Sequence, residues 1–201
     1  MAMPAIRRRW TAAQVRSLID QAETHWPRYE LLNGELIVTP APGGIHQIAV
    51  TAIVYLLRSY LKREPVGVVL TSPADIALQP ESIVQPDVFV VPNRGGVERE
   101  GKFTWAEITS LLLTVEVISP GSVRTDRVDK RDYYMSSDVD EYWVVDVEAR
   151  MIERWRRDRE TPEAVVKAFE WLPRQAREPL RVDVAALFRE IWTDYRSISG
   201  R

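Results

Sequence analysis

The stretches QPDVFVV (residues 85–91) and LLLTVEVIS (residues 111–119) constrain this chain more than anything else in it. Neither shows the polar alternation that leaves one face for water, so each reads as a strand buried on both sides. A sheet built on such strands needs cover on both faces, and helices are the usual cover. Each run also carries one carboxylate: Asp87 at the mouth of the first and Glu116 in the middle of the second. A desolvated carboxylate is costly unless it is hydrogen-bonded, ion-paired or bound to a metal. The two acids therefore demand a partner.

Around these strands the pattern is mixed. WTAAQVRSLIDQAE carries a Thr cap and helical spacing at Val15, Leu18, Ile19 and Ala22, predicting an N-terminal helix over about 11–25. YELLNGELIVTP joins two alternating runs through Asn33-Gly34, the pair favoured in type I′ hairpin turns. After the break at APGG a long helix is expected from Gly44 to Lys62, then short strands at VGVVL, ADIAL and DVFVV. Residues 92–107 read as a loop with one helical turn, and LLLTVEVIS as the central strand. VRTDRVDKRDYYMSS reads as a polar helix with few core positions. EYWVVDV, MIERWRR and AVVKAFEWL look like consecutive strands of an antiparallel meander, and VDVAALFREIW like a closing helix. No repeat, low-complexity tract or linker interrupts the chain. The expectation is one α/β domain over residues 1–201, an α+β mixed sheet flanked by helices, with its core over about 28–192.

Composition narrows the chemistry. The chain has no cysteine, which excludes disulfides, thiol catalysis and cysteine zinc sites. Only two histidines, His25 and His46, are available, so a histidine-rich metal centre is excluded as well. A net charge of -2 gives no global basic field of the kind that announces nucleic-acid binding. MAMPAIRRRW has basic residues but no apolar stretch after them, so no secretory signal is expected. IHQIAVTAIVYLLRSYL carries Arg58 and is too short and polar for a membrane span. The expected location is the cytoplasm.

Two acids held close together repel unless a cation sits between them. Oxygen ligands with few side chains suit Mg²⁺ or Mn²⁺, which keep several waters and take further oxygens from a phosphate. Such a centre needs a positive group near the attacking water. Lys130, in the helix after the Glu116 strand, is the candidate, with a pKa expected to be pushed down so that it can act on that water.

The fragments YELLNGELIVTPAPGGIHQ, SPADIAL, VQPDVFVV, VEVISPGSVRTDRVDKRDYY and DEYWVVD, in that order, resemble the Uma-two family of the restriction-endonuclease-like, or PD-(D/E)XK, superfamily. The resemblance runs from about Tyr29 to Asp146. It implies a restriction-endonuclease-like core sheet, a divalent-metal phosphodiesterase site and DNA as substrate. By this resemblance Asp87, Glu116 and the backbone carbonyl of Val117 would hold the metal, Glu35 of NGEL would complete the acidic cluster, and Lys130 would serve the water. Where many relatives carry a lysine two residues after the strand acid, this chain has Ile118, so Lys130 stands in from the adjoining helix. Families of this fold often act as homodimers.

Each residue also has a plainer reading. Asp87 can close a turn after Pro86, and Lys130 can pair with Asp126 four residues earlier. His46 is either a phosphate-binding or a core histidine, and Ser119 either supports the site or closes a strand end. Arg124, Arg127 and Arg131 alternate with Asp126, Asp129 and Asp132, as on a solvated helix face. Two functions follow: a divalent-metal nuclease, or a catalytically inactive protein that keeps the fold as a binding or assembly module.

Overall fold

A computed structural model describes residues 9–93 and 103–200. Its centre is a six-stranded sheet in the order β3-β4-β5-β6-β7-β8: β3 (Gly67–Thr71), β4 (Val88–Pro92), β5 (Leu113–Val117), β6 (Glu141–Asp146), β7 (Met151–Arg156) and β8 (Glu163–Val165). All neighbouring pairs are antiparallel except β5 and β6, which run parallel. Parallel neighbours cannot be joined by a tight turn and need a crossover. Here it is helical and ends in α3 (Arg131–Ser136).

Strand parity sorts the core into two layers. Val88, Val90, Leu113, Val115, Val117, Trp143 and Val145 point to one face, covered by α2 (Gly44–Leu61) and α4 (Val184–Ser199). Phe89, Tyr142 and Val144 point to the other, where Tyr133 and Tyr134 of the crossover pack with Leu32, Ile76 and Val84. All five residues of β5 are buried, as an apolar run without alternation requires. The parity places Thr114 and Glu116 on the crossover side.

A separate hairpin, β1 (Arg28–Leu32) and β2 (Glu35–Thr39), lies outside the main sheet. Positive φ at Asn33 (52°) and Gly34 (79°) makes the expected type I′ turn. Leu31 bonds Ile83 in both directions, at 2.7 and 3.0 Å, tying the hairpin to the segment that leads into Asp87.

Several elements depart from the sequence expectations. The first helix, α1 (Ala12–Gln21), stops short of residue 25, although Thr11 and Gln14 form the capping box that starts it. ADIAL makes only an isolated bridge, Ile76 to Val84, and no strand. AVVKAFEWL divides: β8 joins the main sheet, while β9 (Ala168–Trp171) pairs with β10 (Leu180–Asp183) in a second small sheet. Of the loop expected at 92–107, one helical turn at Trp105–Glu107 is present, and residues 94–102 lie outside the described residues. The crossover is not a plain polar helix. Thr125–Lys130 winds as a π-helical turn and buries Asp126 and Lys130, and α3 buries Tyr133 and Tyr134. No helix among the described residues is long and apolar enough to cross a membrane.

Candidate active site

The β4–β5 register pairs Val88 with Val115. One step further along the same antiparallel ladder sets Asp87 opposite Glu116, on one face of the sheet. Like charges directly opposite are destabilising, and the chain answers with a separate cationic partner for each.

Asp87, 5 % exposed, accepts from Arg28 Nη1 at Oδ1 (2.9 Å), and at Oδ2 from the Val117 N–H (2.9 Å) and His46 Nε2 (3.0 Å). Burial works to raise this carboxyl. The His46 hydrogen bond and charge, the Arg28 guanidinium and the Val117 N–H outweigh it and hold Asp87 well below the usual carboxylate range.

Glu116, 2 % exposed, accepts at Oε1 from Lys130 Nζ (2.9 Å) and the Tyr134 hydroxyl (3.0 Å). Burial pushes its carboxyl well above the usual value, against the pull of Lys130 and with the push of Asp87, Asp126 and Glu30.

Lys130 Nζ also lies 3.0 Å from Glu30 Oε1 and 3.9 Å from Asp126 Oδ1. Burial disfavours its ammonium, but Glu116, Glu30, Asp126 and Asp87 together win and push its pKa up. This reverses the expectation that Lys130 would be poised to lose its proton: three carboxylates at its tip hold the proton on. Asp126 is raised to about 6 by burial, opposed by Lys130 and a Ser122 hydrogen bond.

These side chains share one cleft of about 410 Å³, lined by Arg28, Glu30, His46, Asp87, Glu116, Val117, Ser119, Asp126 and Lys130. The sequence-derived set is thus gathered in one place, with one exception. Glu35 is the exposed first residue of β2, paired with Leu32 beside the turn, and does not line the cleft. The hairpin acid that does is Glu30, on the facing strand opposite Ile37 and 1 % exposed. Sequence reasoning missed Glu30 and Arg28, read Asp126 only as a helical partner of Lys130, and marked Tyr134, with Tyr133, only as an aromatic near the site. Glu30 carried the signal that marked Glu116, a carboxylate against an apolar pair, in YELL.

The profile of the family Uma2, described as "Putative restriction endonuclease", matches residues 13–186. The chain belongs to the Uma2 family. The fold agrees: the crystal structure of "a putative nuclease belonging to DUF820" from Anabaena variabilis ATCC 29413 superposes with a TM-score of 0.72 at 20% identity, covering 88% of this chain and 98% of that one. No curated protein matches the sequence. The Uma2 assignment supports a nuclease in general terms.

Among the described residues no three His, Asp or Glu side chains form a ready metal cage. The donor set nonetheless fits a hard divalent ion, which commonly takes one or two carboxylates and keeps its waters. When ionised, the four carboxylates Asp87, Glu116, Glu30 and Asp126 face two permanent cations among the described residues, Arg28 and Lys130. Burial first, and the neighbouring acids after it, raise Glu116 and Asp126, and a divalent cation would favour their ionised forms.

Proposed function

We propose that this Uma2 protein is a Mg²⁺- or Mn²⁺-dependent nuclease that hydrolyses phosphodiester bonds in DNA. The observation that carries this reading is the pairing of Asp87 and Glu116 across β4 and β5 at the floor of a cleft with excess negative charge. Asp87, Glu116 and the Val117 carbonyl would hold the ion. When bound, it would activate water and offset charge developing on the phosphate.

The remaining residues prepare that floor. Arg28 and His46 fix the Asp87 carboxylate from two directions. Lys130 and Tyr134 grip one oxygen of Glu116 and so orient its other oxygen. Because Lys130 stays protonated, it serves as a fixed positive charge near the reacting phosphate and not as a base. Asp126, at about 6, is the carboxylate whose Oδ atoms are suited to take a proton from water near neutral pH.

The test is cleavage of supercoiled plasmid, linear duplex and single-stranded DNA in Mg²⁺ and Mn²⁺, with wild type beside Asp87→Ala. Metal-dependent cutting by wild type alone is expected. Cutting by both proteins, or by neither, refutes the assignment, and failure to bind Mn²⁺ as well turns the balance to the non-catalytic binding module.

A further inference from the structure

The cleft has two unlike halves. Its floor is ionic, and one wall is apolar: Trp26, Ile37 and Val38, then Pro40, Ala41 and Pro42 after the hairpin. Ile37, the neighbour of Glu30 across the hairpin, is only partly buried there. Trp26 is half-buried, with the Arg28 guanidinium carbon 4.6 Å from its ring centroid. The same guanidinium bonds Asp87 at 2.9 Å. One arginine therefore sets the indole at a fixed position relative to the acid floor.

A phosphodiester must descend to carboxylates only 5 % and 2 % exposed to meet them. In a duplex, each phosphate is attached to a base locked in the helical stack. A cleft of about 410 Å³ lies in the size range that takes one nucleotide-sized ligand. A base can lay its face against an indole only when it is out of the helical stack or in a single strand. Base–aromatic stacking tolerates any base, because every base has a π-face.

We infer that the cleft takes an unpaired nucleotide, with its base laid against Trp26 and the neighbouring apolar wall, so that the protein selects single-stranded or frayed DNA over intact duplex. This selectivity rests on the phosphodiesterase reading of the same cleft, but its binding component stands apart from catalysis.

The test measures anisotropy of a labelled single-stranded oligonucleotide and of its blunt duplex, bound in Ca²⁺ to offset the acidic floor, with gels confirming that neither is cut during the measurement. Cleavage of both is then followed with Mn²⁺. Wild type, Trp26→Ala and Trp26→Phe are compared, with thermal unfolding confirming that each variant is folded. Wild type is expected to prefer the single strand. Trp26→Ala should lower single-strand affinity roughly ten- to a hundredfold, the size of one lost stack, and collapse the preference. Trp26→Phe, which keeps a π-face, should retain most of it. Equal affinity of wild type for both substrates, a uniform loss in Trp26→Ala, or Trp26→Phe behaving like the alanine variant overturns the inference. Trp26-dependent single-strand binding with no cleavage of either DNA would sink the nuclease reading and leave the platform standing. Efficient cleavage of duplex without Trp26 dependence would do the opposite.

Discussion

Lys130 shows how the site is balanced one side chain at a time. Its ammonium is the only strong cation within reach of Glu116 and Glu30 among the described residues. Replacing it with methionine keeps the volume but leaves buried carboxylates without a counter-charge, so Lys130→Met should cost about 3–5 kcal/mol in urea unfolding. Asp126 makes the opposite case. Its carboxyl is higher in the folded protein, about 6, than the ordinary 3.8. The folded state thus binds the proton more tightly, and stability falls as pH rises from about 4 through 6. That displacement corresponds to on the order of 3 kcal/mol. Asp126→Asn should flatten the decline and raise stability at pH 7, while cleavage should lose its rise through pH 6. A variant no more stable than wild type at pH 7 would contradict this account. Asp87, held low, contributes in the other direction and adds acid lability below its unfolded value. Asp87 and Glu116 were legible in the sequence because each interrupts or borders an apolar run. Glu30 followed the same rule in a shorter run, and the neighbouring NGEL turned attention to Glu35. Hairpin register, which a carboxylate's sequence context does not reveal, decides between them. The sign of the Lys130 displacement was out of reach for a related reason, since it depends on three acids from three different segments.

At the level of elements, the crossover and the edge strand carry the sharpest constraints. A π-helical turn opens the backbone ladder and is found most often at functional sites. Here the buried Tyr142 hydroxyl donates to the Asp126 carbonyl at 2.9 Å, bracing that turn against β6. Tyr142→Phe should leave the carbonyl without this partner, cost about 1–3 kcal/mol, and slow cleavage by loosening Asp126 and Lys130, read as a fall in kcat beside a lower urea midpoint. An unchanged kcat would mean that the turn does not position the site. At the start of β3, Gly67 has no room for a side chain: an added Cβ would sit 2.6 Å from the Val91 carbonyl and 3.0 Å from Val90 Cγ1. Gly67→Ala is therefore expected to destabilise by about 1–3 kcal/mol through strain between β3 and β4, measured by denaturant unfolding. The sequence announced the helix α2 and the hairpin correctly, because periodicity and Asn-Gly act locally. It could not announce a π turn, because Asp126 and Lys130, four residues apart, would share one face of an ordinary α-helix as well. Nor could it divide AVVKAFEWL between two sheets, since the apolar pattern runs on through Val165, Phe169 and Trp171 alike.

For the whole molecule, the proposed metal would link charge to fold. An ion that binds only the folded cleft must stabilise the entire protein by mass action. Mn²⁺ at about one hundred times its dissociation constant should add about 2.7 kcal/mol, seen as a higher Tm, and Glu116→Gln should abolish the increment. A metal-independent Tm would remove the centre from the account. The mixed architecture was readable because two fully buried strands need cover on both faces, and the sheet order supplied what the runs could not: antiparallel β4–β5 brings the acids together, and parallel β5–β6 forces the chain back over them. That return has a meaning in the life of the chain on the ribosome. Asp87 and Glu116 emerge before the crossover, and β6, which pins the crossover through Tyr142, emerges after it. A nascent chain halted before Glu141 would hold every acid of the centre without the strand that braces Asp126 and Lys130. If the proposed nuclease reading holds, the protein would in this way stay inert at least until β6 has been made.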